Sequence, residues 1–122
     1  MSLWGTVHGF LEGVLSVSPQ NNQKIITTGD ITPETFPERS NNFMHLFRAK
    51  ELREWLEDAG LVILDMSASS SLSLTWNEKL KDIRDHAEKW NELLCMDLEA
   101  SADDGCLNMG THIIAIGRKE TV

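Results

Sequence analysis

A short run near the end of the chain constrains the fold more than any other feature. Ile113-Ile114-Ala115-Ile116 places apolar residues at successive positions, between Gly110-Thr111-His112 and the charged Arg118-Lys119. Neighbouring residues of a strand point to opposite faces, so a run that is apolar throughout predicts a strand over Thr111–Arg118 covered on both sides. A second constraint lies upstream. Leu52, Trp55, Leu56 and Ala59 mark one face of a helix over residues 48–59, and Arg48, Lys50, Glu51, Arg53, Glu54, Glu57 and Asp58 fill the other. Gly60 stands where helices take a left-handed cap. Leu61–Ala68 then reads as a strand with Val62, Ile63 and Leu64 as its buried run. A helix-strand unit over 48–68 and a final strand over 110–119 predict an α/β fold, in a chain whose 122 residues suffice for one domain.

The rest supplies helices and connections. Val7, Phe10, Leu11, Val14 and Leu15 recur at the spacing of a one-faced helix over 6–17. Gly9 and Gly13 weaken it, by about 1 kcal/mol each against Ala. Met1–Gly5 reads as a strand end leading into it. Residues 18–42 contain Pro19, Pro33, Pro37 and Gly29-Asp30 and read as a long loop, with Ile25 and Ile26 nucleating one short helical turn. A loop of that length in a compact domain is a lid, a binding loop or disordered. Thr75-Trp76-Asn77-Glu78 has the capping-box pattern and opens a helical excursion over 75–102. Its first part turns Trp76, Leu80 and Ile83 inward. A second, longer helix runs from Asp85-His86-Ala87-Glu88 to about Ser101 with Trp90, Leu93, Leu94 and Leu98 inward, unless the two form one kinked helix. Ser67–Ser71 is a polar loop and Asp103-Asp104-Gly105 a turn.

Charge and cysteine usage narrow the function classes. A net charge of −8 and a pI of about 4.8 argue against nucleic acid, whose binders neutralise phosphates with Lys and Arg, and against an anionic membrane surface. No run of apolar residues is long enough for a transmembrane helix. The apolar N-terminal segment has no basic start and contains Glu12, which argues against a signal peptide. Cys95 and Cys106 lie outside any CxxC and read as reduced thiols. Together these features predict a cytoplasmic protein.

Two segments carry a resemblance. Met44-His-Leu-Phe-Arg-Ala-Lys-Glu-Leu-Arg-Glu-Trp-Leu-Glu-Asp-Ala-Gly-Leu-Val-Ile-Leu-Asp65 is similar to the stretch of class I S-adenosylmethionine-dependent methyltransferases in which an aromatic-rich segment leads through a helix into the sixth strand. Gly110-Thr-His-Ile-Ile-Ala-Ile-Gly-Arg-Lys119 looks like the seventh strand, which in that family inserts antiparallel between the fifth and sixth. Ser2-Leu3-Trp4-Gly5-Thr6 resembles the exit from the fifth. The resemblance implies part of a Rossmann-like methyltransferase sheet: the end of strand five and strands six and seven with their flanking helices. It also implies a methyl acceptor that is a small molecule. The family holds its cofactor, S-adenosylmethionine, on a GxGxG turn after the first strand. This sequence has no such turn, so the cofactor is not expected to bind to this chain alone. The chain then reads as the C-terminal, acceptor-side portion of an enzyme, inactive by itself. Removing strand five would leave an apolar edge that invites another chain. The sheet is therefore expected to be completed by dimerisation or by a separate N-terminal methyltransferase chain. The rival reading is a non-enzymatic α/β module that assembles through the same edge.

Candidate site residues follow from the resemblance. His8 and His45 flank the presumed mouth of the sheet, where an imidazole can serve as general base or orient a substrate; the alternative is surface or core histidines. Trp4, His8, Met44, Phe47 and Ser69 are the candidates for the acceptor pocket, with Phe10 and Phe43 beside them or in the core. Asp30, Glu34 and Glu38 are solvated loop charges or belong to a lid over a cationic or hydroxylated acceptor. Trp55, Trp76 and Trp90 are assigned to the core or a dimer interface. His8, His45, His86 and His112 have no metal-ligand spacing, so no metal site is expected.

Overall fold

The structure is a computed structural model that describes residues 1–36 and 43–120. It is mixed α/β, with six α-helices and two small antiparallel sheets among the described residues. In chain order the helices are α1 (Leu3–Gly9), α2 (Leu11–Leu15), α3 (Pro19–Thr28), α4 (Ala49–Asp58), α5 (Asn77–Ile83) and α6 (Ala87–Ala102). The strands are β1 (Asp30–Ile31), β2 (Met44–His45), β3 (Leu61–Ala68) and β4 (Ile113–Lys119).

The helix-strand unit forms where its pattern places it. Leu52 and Ile63 pack with Ala49, Met66, Leu107, Ile113 and Ala115 into one core. Gly60 takes the left-handed conformation, φ +90°, between α4 and β3. Arg48 has no side-chain oxygen to cap α4. The cap comes from elsewhere: Asn108 Oδ1 accepts the Ala49 N–H (2.8 Å) and the Glu51 carboxylate accepts the Arg48 N–H (3.3 Å).

β3 and β4 pair antiparallel from Leu61 against Lys119 to Ala68 against Ile113. Leu64 is an extra residue in that ladder, a bulge that turns it out to solvent and removes it from the expected buried run. The covering of β4 differs from the prediction. Ile113 and Ala115 face the core, but Ile114 and Ile116 on the opposite face are each more than half exposed. β4 is thus covered on one side only. Two residues before β4 begins, the Thr111 carbonyl accepts the Ser2 N–H (2.8 Å).

Ser2 ties the chain start to three other segments. It forms a parallel bridge with Phe47 and caps α1 through its hydroxyl, which accepts the Gly5 N–H and donates to the Asn108 carbonyl. The strand end expected over Met1–Gly5 is therefore one bridging residue, because Ser2 starts a helix at Leu3. α1 then lies directly on the approach to β4. A Cβ on Gly5 would come within 1.7 Å of the Gly110 carbonyl oxygen, so only glycine allows this contact. The single helix expected over 6–17 is broken at Phe10 (φ −124°, ψ 34°) into α1 and α2, at the glycine-weakened stretch.

The long loop over 18–42 needs the largest correction. Residues 19–28 form α3, started by the Ser18 hydroxyl accepting the Asn21 N–H, with Pro19 in its first turn and Gly29 (φ +78°) as left-handed cap. Ile25 is the buried anchor that holds this polar helix down, against Leu3 and Leu46, with Met1, Val7, Ile31 and Met44 around them. The part of the loop over 37–42, including Glu38, lies outside the described residues.

The excursion forms as two helices separated at Arg84–His86, and the capping box at Thr75 is not made: α5 starts at Asn77 after Trp76, without a side-chain cap. Trp76, Leu94 and Leu98, expected inward, are exposed. The Ser69–Ser73 region is held from α6 instead, by Asp97 accepting from the Leu72 N–H (2.9 Å) and the Ser71 and Ser73 hydroxyls.

Candidate functional site

β2 separates two recesses, because Met44 and His45 are adjacent in a strand and point to opposite sides. On the Met44 side is a partly open apolar pocket of about 150 Å³. Val7, Phe10, Val14, Ile25, Met44 and Leu46 supply most of its apolar wall. Its polar members are Thr6 and Asn22. Asn22 is committed, its Nδ2 donating to the Val14 carbonyl (2.9 Å). The Thr6 hydroxyl oxygen is buried with no hydrogen-bond partner, which leaves one polar group unsatisfied in the pocket wall.

On the other side, His45 anchors a charged cluster. Its Nδ1 lies 2.6 Å from Asp30 Oδ1 and its Nε2 3.1 Å from Glu51 Oε2. Asp30 is placed by β1, which pairs with β2 so that Asp30 stands opposite His45. Glu51 sits in the first turn of α4. The hydrogen bond to Asp30 raises the imidazole above its ordinary pKa, burial works against it, and the bond to and charge of Glu51 raise it further. With both ring nitrogens facing carboxylates, His45 ties β1, β2 and α4 together. The Phe47 ring meets it in a T-shaped contact (4.5 Å) and lies 5.5 Å from Trp55. Phe43, His45, Phe47, Glu51 and Trp55 line a groove of about 340 Å³.

The sequence-predicted residues do not form one site. Met44 lines the apolar pocket and Phe47 the groove; Trp4, His8 and Ser69 line neither. His8 is exposed on α1. Trp4 lies under Arg48, whose Cζ is 5.7 Å from the ring centre and whose guanidinium donates to the Ile26 carbonyl (2.6 Å). Ser69 serves as backbone, its N–H donating to the His112 carbonyl beside Gly110. Phe10 and Phe43 line the pocket and the groove respectively. Trp55 and Trp76 are exposed, so of the two expected places, core or dimer interface, the core is excluded for both. Asp30, expected in a loop or lid, instead holds His45; Glu34 is exposed. The partners of His45 escaped sequence reasoning because Asp30 lies 15 positions away and Glu51 was legible only as a helix charge.

Among the described residues, the glycines of α1 do not form the cradle that S-adenosylmethionine needs. Gly5 and Gly9 lie inside α1, and the space a Cβ would occupy at Gly5 is filled by the Gly110 backbone, so no glycine cradle opens there. Among the described residues no group of three or more His, Cys, Asp and Glu could hold a metal ion, and no helix is long and apolar enough to cross a membrane. Comparison with family models, with curated proteins and with solved structures brings no match.

Proposed function

We propose that this chain is the acceptor-side portion of a cytoplasmic, Rossmann-like S-adenosylmethionine-dependent methyltransferase that acts on a small molecule. The observation that carries the reading is the arrangement around the final strand. β3 lies antiparallel on one edge, and Ser2, at the start of a helix, meets the approach to that strand from the other edge. That is the order expected of the end of strand five and strands seven and six. The pocket on the Met44 side supports the acceptor role: it is concave, apolar and roomy enough for about one small ring, since a cavity of about 150 Å³ accommodates benzene. Catalysis in this class rests on holding the acceptor atom in line with the methyl donor. The share of this chain is binding and orientation, with the cofactor held by another segment or another chain.

An amide-resonance titration of the labelled chain tests this. A panel of small phenols and amines is expected to shift resonances of Val7, Ile25 and Met44, and S-adenosylmethionine up to millimolar concentration to shift none. Micromolar binding of S-adenosylmethionine by this chain alone would refute the division of labour. A panel without any response would remove the acceptor role.

The open face and edge of β4 favour a second reading, a non-enzymatic α/β module. Ile114 and Ile116 offer an apolar surface beside a strand edge that pairs with no other strand among the described residues, the combination through which a second copy or a partner strand adds to a sheet. Light scattering at tens of micromolar tests it: a dimer supports assembly through β4, and a monodisperse monomer counts against it.

A further inference from the structure

The groove on the His45 side is independent of the methyl-transfer reading and has its own chemistry. Its walls are aromatic. Trp55 is 66% exposed and Phe43 67%, so both rings are open to a ligand. Glu51 and Trp55 stand one helical turn apart on α4, so a carboxylate and an indole share one wall. Phe47, tilted 45° to Trp55, makes the adjoining surface. Two carboxylates, Asp30 and Glu51, face the single His45 imidazole, so the cluster is net negative whether or not the ring is protonated, and among the described residues no Lys or Arg lines the groove. An anion would meet the Glu51 carboxylate, and a neutral apolar ligand would desolvate it without return. A cation whose charge is spread over carbon substituents suits both parts, because ring faces and a carboxylate each attract it.

We propose that the groove formed by Phe43, Phe47, Glu51 and Trp55 is a binding site for a small tertiary or quaternary ammonium group. Two probes of the same shape separate charge from mere apolarity. Choline carries the trimethylammonium group, and 3,3-dimethylbutan-1-ol replaces its nitrogen by carbon. Each is titrated into the full chain while the Trp55 indole N–H resonance, assigned with W55F, is followed. Choline is expected to bind at least about tenfold more tightly than the alcohol. Trp55→Ala is expected to weaken choline by a similar factor, and because Trp55 is exposed the variant keeps its fold, checked by circular dichroism. Glu51→Gln is expected to weaken choline and leave the alcohol unchanged. Equal binding of the two probes would overturn the proposal, as would no response of Trp55 to choline. So would a groove closed by a second copy of the chain, seen as Trp55 resonances that move with protein concentration alone.

Discussion

Replacing His45 by Gln should destabilise the protein by an amount that depends on pH, and the direction of that dependence is the test. When protonated, His45 makes charge-assisted contacts of 2.6 and 3.1 Å to Asp30 and Glu51. Hydrogen bonds to charged groups contribute roughly 1.5–3 kcal/mol each when well buried. These are not: the side chains are 25% exposed for His45, 36% for Asp30 and 42% for Glu51, so solvent screens them. Discounting accordingly gives about 1–2 kcal/mol for the pair together. The folded-state pKa of His45 lies above 6.5, so folding favours the protonated ring. The contribution is therefore complete below the unfolded pKa, near 6.5, and is lost as pH rises through the folded value. Urea unfolding followed by tryptophan fluorescence at pH 5.5 and pH 8.5, for both proteins, isolates this group, because the other titrations cancel in the difference. With a slope of about 1.5 kcal/mol/M, wild type should exceed the variant by about 1 M in midpoint at pH 5.5 and by clearly less at pH 8.5. An equal difference at both pH values, or a larger one at pH 8.5, would refute the ion-pair account of His45.

Three further outcomes follow from the packing. Gly5→Ala should prevent stable folding or cost more than about 3 kcal/mol, because its Cβ would overlap the Gly110 carbonyl at 1.7 Å, whereas Gly13→Ala, with nothing within 4 Å, should raise the melting temperature by a few degrees. Asp97→Ala should cost about 1–3 kcal/mol and speed hydrogen exchange at Leu72, since one carboxylate holds the Leu72 N–H and two hydroxyls. Ile114→Lys with Ile116→Lys should leave the melting temperature of the dilute chain within about 2 °C, because both side chains are exposed, and should reduce self-association measured by light scattering.

The elements legible in the sequence are those whose signal is local and strongly periodic. α4, the Gly60 cap, β3 and β4 all lie within a residue or two of their expected bounds. Each carries its own pattern: a charged and an apolar helix face, a glycine, and runs of β-branched residues. α3 was hidden by its composition. Gln, Asn and Lys around a Pro resemble a loop, and the weak cues were the Ser18-Pro19 start and the Gly29 stop. β1 and β2 are two-residue strands, too short to show a period. The same limit governs the candidate sites, where Met44 and Phe47 were identified as candidates but not the strand that sends Met44 and His45 to opposite sides.

By itself, then, the chain's order of residues specifies an α/β class, one strong helix-strand unit, a final apolar strand and an acidic surface, because each depends on neighbours within a turn or a few positions. Only the tertiary structure determines that β4 is covered on one face, that Gly5 must admit the Gly110 backbone, and that Asp30 and Glu51 close on His45. Those outcomes depend on segments distant in the chain meeting in space, and the identity of a meeting partner is not encoded in the local period of either one.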